Sequence, residues 1–193
     1  MQELLNNIRQ CRICEEHLPL SAKPILDAHR KSKIVLLSQA PGRVAHQSGV
    51  AWDDAGGKRL REWLGVSWDE FYNPENFAIM PMGFCYPGKG KSGDLPPRPE
   101  CAPTWHNQLW KELENVQLVI LIGMYAQKQY LKSDAKITLT ETVASYKDYL
   151  PKYFPLPHPS PRNRFWIMKN PWFEVKVIPD LKLAVNRICD FSD

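Results

Sequence analysis

The sequence predicts an α/β protein in which a four-stranded parallel sheet is covered on both faces by helices. Residues 33–38 (KIVLLS) and 118–122 (LVILI) are short apolar runs without polar alternation, as expected of strands buried on both faces. Residues 77–82 (FAIMPM) and 153–156 (YFPL) supply two more strands. Between the strands, apolar residues recur at helical spacing, and strands that alternate with helices build parallel sheets. At 193 residues, with no internal repeat and no linker, the chain fits one domain spanning residues 1–193.

Taken in order, Leu4, Leu5 and Ile8 predict a short N-terminal helix that leads into Cys11 and Cys14. Residues 17–24 read as irregular, followed by a short helix that reaches His29. The first strand ends in the turn Gln39-Ala40-Pro41-Gly42. Residues 43–54 read as a polar loop. Gly56 and Gly57 precede Leu60, Trp63 and Leu64, whose spacing predicts a helix. Residues 69–76 read as a connector, and Pro81 marks the end of the second strand. Residues 83–103 form a long loop rich in Gly and Pro, a kind that is usually functional or tied down. Helices are predicted over 105–113 and 126–131, on either side of the third strand, which ends at Gly123. Residues 133–152 show no clear period. The fourth strand delivers His158, and residues 180–189 read as a closing helix. Ligands of such sheets lie beyond the C-terminal strand ends. That rule puts residues 39–42, 83–85, 123–125 and 157–163 on one rim.

The last of these rim segments, Pro157-His158-Pro159-Ser160-Pro161-Arg162-Asn163, is the stiffest. Three alternating prolines fix φ and push the intervening residues toward extended geometry. The segment reads either as a rigid loop presenting His158 and Arg162 or as a plain connector.

The net charge of +4 permits an anionic partner without demanding one. Residues 1–10 lack the apolar core of a secretory signal, and the longest apolar run, 118–124, is far too short to span a bilayer. A cytoplasmic, monomeric protein with no membrane partner is therefore expected. In that setting the five cysteines are metal ligands or free thiols rather than disulfides. Cys11 and Cys14 form a CxxC pair, while Cys85 and Cys101 bracket the long loop. Four thiolates would suit Zn²⁺ or an iron–sulfur cluster, and four scattered thiols are the alternative. Cys189 reads as a small core residue.

Together these pieces resemble the uracil-DNA glycosylase superfamily, most nearly its iron–sulfur (family 4) branch. Residues 38–42 (SQAPG) look like that branch's Gly-Glu-Ala-Pro-Gly motif. Residues 48–57 (SGVAWDDAGG) are similar to its Gly-x-Pro-Phe segment and the glycines that follow. Ile120-Leu121-Ile122-Gly123 fits its third strand, and His158-Pro159-Ser160-Pro161 its final motif, here extended by Arg162-Asn163 as in single-strand-selective relatives. Cys11, Cys14, Cys85 and Cys101 fall where that branch places its cluster ligands.

The resemblance implies a three-layer α/β/α sandwich and an enzyme that flips a damaged, deaminated base out of DNA and hydrolyses its N-glycosidic bond. It also implies a structural [4Fe–4S] cluster, with zinc as the alternative. It casts His158 as the donor to the leaving base and Trp52 as a stacking partner for the flipped base, unless Trp52 is ordinary core. Ala40, Pro41, Gly42 and Pro81 fall in the base pocket. Ser160, Arg162, Asn163, Arg164, Lys89 and Lys91 fall on the DNA side, with Phe165 and Trp166 available to fill the gap left by a flipped base.

Two positions depart from the family pattern. Gln39 stands where the family has a carboxylate. An amide can position water but cannot take its proton, which makes Asp54 or Asp53 the candidate base, the alternative being a helix cap. Pro81 or Met80 stands where the family reads uracil with Asn, which opens other lesions such as hypoxanthine. Two further readings stand beside the glycosylase: an inactive DNA-binding relative, and a zinc-stabilised α/β protein acting on a nucleotide.

Overall fold

A computed structural model describes residues 1–191. Four strands, β1 (Ile34–Leu37), β2 (Phe77–Ile79), β3 (Leu118–Ile122) and β4 (Tyr153–Leu156), pair in the order β2-β1-β3-β4. Every pairing is parallel, with Val35 opposite both Ala78 and Val119, and Leu121 opposite Pro155. Pro155 is tolerated because β4 is an edge strand, where one row of amides has no partner to meet.

The strands are apolar throughout because both faces are covered. Ile34, Leu36, Phe77, Ile79, Ile120 and Phe154 point to one side. There they pack against α3 (Ala55–Leu64) and α9 (Ile178–Cys189). Val35, Leu37, Ala78, Val119 and Leu121 point to the other side. Their cover is α1 (Gln2–Arg9), α5 (Cys101–Glu112) and α6 (Met124–Leu131). This is the three-layer sandwich that the alternation of strands and helices predicts. Cys189 is buried in the α9 layer, as a core residue.

Several local readings are corrected. No helix reaches His29. Instead Asp27 exchanges both backbone hydrogen bonds with Ile79, at 2.7 and 3.1 Å, and so covers the free edge of β2. The polar stretch after Gly42 contains α2 (Arg43–Ser48), ended by Gly49 in a left-handed conformation. The expected connector contains α4 (Trp68–Tyr72), started by a Ser67/Glu70 capping box. Another capping box, Thr138/Glu141, starts α7 (Leu139–Ala144) in the segment without a clear period. The last rim loop tightens into a 3₁₀ turn at Pro161–Asn163 and continues as α8 (Arg164–Lys169). Among the described residues no helix is long and apolar enough to cross a membrane.

Candidate active site and cysteine cluster

A cavity of about 450 Å³ opens beyond the C-terminal ends of the strands. Three of the expected rim segments wall it: residues 39–42, Tyr125, and the loop from His158 to Asn163. The fourth segment, 83–85, faces away and lines a separate cavity with the cysteines.

The turn after β1 is held by the backbone, with Met82 N–H donating to Ser38 O at 2.8 Å and Gly83 N–H to Gln39 O at 3.0 Å. Gln39 spends its amide donor on the carbonyl of Leu95, 2.9 Å away. That bond ties the turn to the loop 88–95. The loop folds back on itself through Leu95 N–H to Gly88 O and Gly90 N–H to Gly93 O. Its tip joins the cavity wall through Ser92, Gly93 and Asp94.

The His158 loop is fixed from three sides. Asn163 Nδ2 donates to His158 O at 2.7 Å. The Arg59 guanidinium of α3 donates to the carbonyls of Pro159 and Ser160 at 3.4 and 3.3 Å. Ser160 N–H donates to His158 Nδ1 at 3.2 Å. Because Nδ1 accepts, the neutral ring carries its proton on Nε2. Burial pushes the His158 pKa below the ordinary histidine value, against the opposing pull of the Asp54 charge. At neutral pH the ring is therefore an uncharged N–H donor on the cavity wall.

Trp52 stands beside it, ring centroids 5.5 Å apart and planes 33° from parallel. Its φ of 60° lies in the left-handed region, which is sterically unfavourable for a bulky side chain. Gly57 makes this conformation possible, since a Cβ there would sit 1.7 Å from Trp52 O. Tyr72 OH donates to Ala51 O at 2.7 Å and holds the adjoining backbone. Trp52 both lines the cavity and packs on the α3/α9 core, so its place in the core does not remove its ring from the cavity wall.

Asp54 lines the cavity and also caps α3, accepting the Gly57 N–H at 2.8 Å. Asp53 is not among the lining residues. Pro81 is in the wall, whereas Met80 is buried in the opposite core layer. Ala40, Pro41, Gly42, Ser160, Arg162 and Asn163 all line the cavity. Arg162 Nη1 donates to Ser92 O at 3.1 Å, so this guanidinium clamps the 88–95 tip. Lys89, Lys91 and Arg164 are exposed outside the cavity. Phe165 is 74% exposed on α8, whereas Trp166 packs against Trp172 and Phe173 and donates to Thr140.

Three groups around this site carry no sequence signal. Arg59 reads as a surface residue of a helix. His106 is buried behind Pro81, its Nε2 3.1 Å from Pro81 O and its Nδ1 2.7 Å from Tyr130 OH. Asp94 sits in a run of Gly, Pro and Lys without periodicity. Only the fold brings it opposite Gly42, its Oδ2 3.6 Å from where a Cβ would stand on that glycine.

Cys11, Cys14, Cys85 and Cys101 line one small cavity, with Phe84, Trp105 and Arg98 around them. Burial pushes the Cys101 thiol up to about 12 and the Cys85 thiol to about 11, and raises Cys14. Phe84 N–H donates to Cys101 Sγ at 3.3 Å. Among the described residues, however, no three His, Cys, Asp or Glu side chains are placed to grip a single ion.

A parallel α/β sandwich thus brings a neutral histidine, an aromatic ring and carboxylates together around one cavity at its C-terminal rim, the place where ligands of such sheets lie. The comparison with known families is more specific. The model of the uracil DNA glycosylase superfamily matches residues 26–182, and the chain belongs to that superfamily. Its members are DNA glycosylases, hydrolases of N-glycosyl bonds. The match begins after Cys11 and Cys14 and includes Cys85 and Cys101.

Proposed function

We propose that the protein is a repair glycosylase that takes a deaminated base such as uracil or hypoxanthine out of DNA and hydrolyses its N-glycosidic bond. The observation that carries this reading is the His158 ring, held neutral with its proton on Nε2 at the cavity wall. As the bond breaks, negative charge collects on the base carbonyl oxygens. A fixed, desolvated N–H donor stabilises that charge more than it stabilises the intact substrate. Trp52 supplies an aromatic surface, and stacking on one base contributes about 1–3 kcal/mol. Pro81, Pro41 and Ala40 offer shape without side-chain hydrogen bonds. That composition favours a carbonyl-bearing base held by stacking and by His158 over one read edge by edge. Outside the cavity, Phe165 on α8 is the candidate wedge, and Arg164, Lys89 and Lys91 are candidate phosphate contacts.

The four cysteines fit a [4Fe–4S] cluster. Their donor set is all sulfur, the four line one small cavity, and Phe84 N–H already points at one thiol. One zinc ion would draw all four to about 2.3 Å from a single centre. A bound cluster would hold the thiols as thiolates and tie residues 11–14 to both ends of the long loop.

The test is base release from oligonucleotides carrying uracil, hypoxanthine or xanthine, each single- and double-stranded. Release from at least one is expected, and His158→Ala should lower the chemical step about 10²–10³-fold. Salt-dependent DNA binding without release from any substrate would leave an inactive relative and sink the catalytic reading.

A further inference from the structure

The cavity holds a donor for a leaving base, but hydrolysis also needs a group to take a proton from the attacking water. Two carboxylates reach the cavity wall, Asp54 and Asp94. Asp54 is engaged, since its Oδ1 accepts the Gly57 N–H as the cap of α3. Asp94 is free, because among the described residues its carboxylate accepts no hydrogen bond and forms no ion pair. It stands at the mouth of the cavity against Gly42, open to solvent on its outer side.

Its position is built. Gln39, which can take no proton itself, binds the carbonyl of Leu95, the neighbour of Asp94. Arg162, from the His158 loop, binds the carbonyl of Ser92, two residues before it. Gly93 allows that clamp, as a Cβ there would lie 2.8 Å from Arg162 Nη1. Both main site segments therefore hold the loop that carries Asp94.

We propose that Asp94 is the catalytic base of this site, delivered by the 88–95 loop rather than by the turn after β1. In the step it serves, the C1′–N bond breaks and its electron pair leaves on the base, steadied by the His158 N–H. The oxygen of a water molecule bonds to C1′, and the proton it sheds passes to the Asp94 carboxylate. Solvent then protonates the released base. The charged groups that face Asp94 are Arg162, Lys89 and Asp54, with His158 across the cavity. Loss of water on its inner side and the Asp54 charge make this carboxyl more basic than usual, against Arg162 and Lys89.

This inference rests on the glycosylase reading, and one experiment separates the two. The purified protein and its Asp94→Asn, Asp94→Glu and Asp54→Asn variants are compared in single-turnover base release across pH, with DNA affinity measured in parallel. In Asp94→Asn the chemical step should fall about 10²–10³-fold, DNA affinity should hold, and the acidic limb of the pH profile should vanish. Asp94→Glu should restore part of the rate, and Asp54→Asn should keep the limb. If the parent is active and Asp94→Asn is as fast, the base is elsewhere and the glycosylase reading survives. If Asp94→Asn loses rate only in step with DNA affinity, with the limb intact, Asp94 merely shapes the loop. If the parent releases no base from any substrate, both readings fall.

Discussion

At the scale of single residues, the side chains that matter here each do two things. Asp54 caps a helix and lines the cavity, and two substitutions separate these roles. Asp54→Ala removes the cap and should cost about 1 kcal/mol in thermal or urea unfolding. Asp54→Asn, whose amide oxygen still accepts from Gly57 N–H, should cost far less. His106 has a pH signature. Burial lowers its pKa to about 4, below that of the unfolded chain, so the unfolded state binds the extra proton first. Its contribution is complete above about pH 6.5 and is lost as pH falls from there to about 4, by roughly 3 kcal/mol. Urea unfolding at stepped pH should show this loss, and His106→Gln should flatten it. His158 acts in the same direction, from its own lowered pKa. His158 was legible because three prolines frame it. Asp94 and His106 were not, because their roles come from what lies opposite them in space. Asp94 meets Gly42 from more than fifty positions away, and His106 meets Pro81 from the far side of the core.

At the scale of elements, the four strands were readable because burial on both faces leaves no polar residue to confuse the pattern. The short helices α2 and α4 were not. Each has only one or two turns, too few to display a period. What starts α4 is the Ser67/Glu70 box, a local signal weaker to the eye than an apolar stripe. The sheet carries the stability. Leu36 is fully buried at the centre of the core, and Leu36→Ala should cost about 2–5 kcal/mol in denaturant unfolding. The 88–95 loop is another matter. Arg162→Ala removes its clamp on Ser92 O while touching no core contact. Global unfolding should move by no more than about 0.5 kcal/mol, while limited proteolysis near residues 89–95 should become faster.

At the scale of the whole molecule, the two cavities are joined by one stretch of chain. Residues 85–101 begin and end at two of the four cysteines that line the smaller cavity and carry Asp94 between them. With the [4Fe–4S] cluster proposed for these cysteines, Cys85→Ser or Cys11→Ser should lower iron content, bleach the visible absorption and reduce the melting temperature. In the Cys85 variant, base release should drop further than stability alone explains. Metal analysis beside a visible spectrum checks the first part, and colourless protein with about one zinc per chain would replace the cluster by zinc. The sequence marked both ends of this stretch through its cysteines but not its middle, whose path depends on Gln39 and Arg162.

Gly57 has a consequence for descent. It contributes no atom of its own to recognition, yet the carbonyl it leaves room for is that of Trp52, whose ring forms the aromatic wall. The obstacle to a larger residue is backbone, which cannot swing aside as a side chain would. A lineage that exchanged Gly57 even for alanine would have to move Trp52, and with it the wall, while keeping every pocket side chain. Two relatives identical at every residue that lines this cavity can therefore differ in its shape, through a position that is not part of the lining.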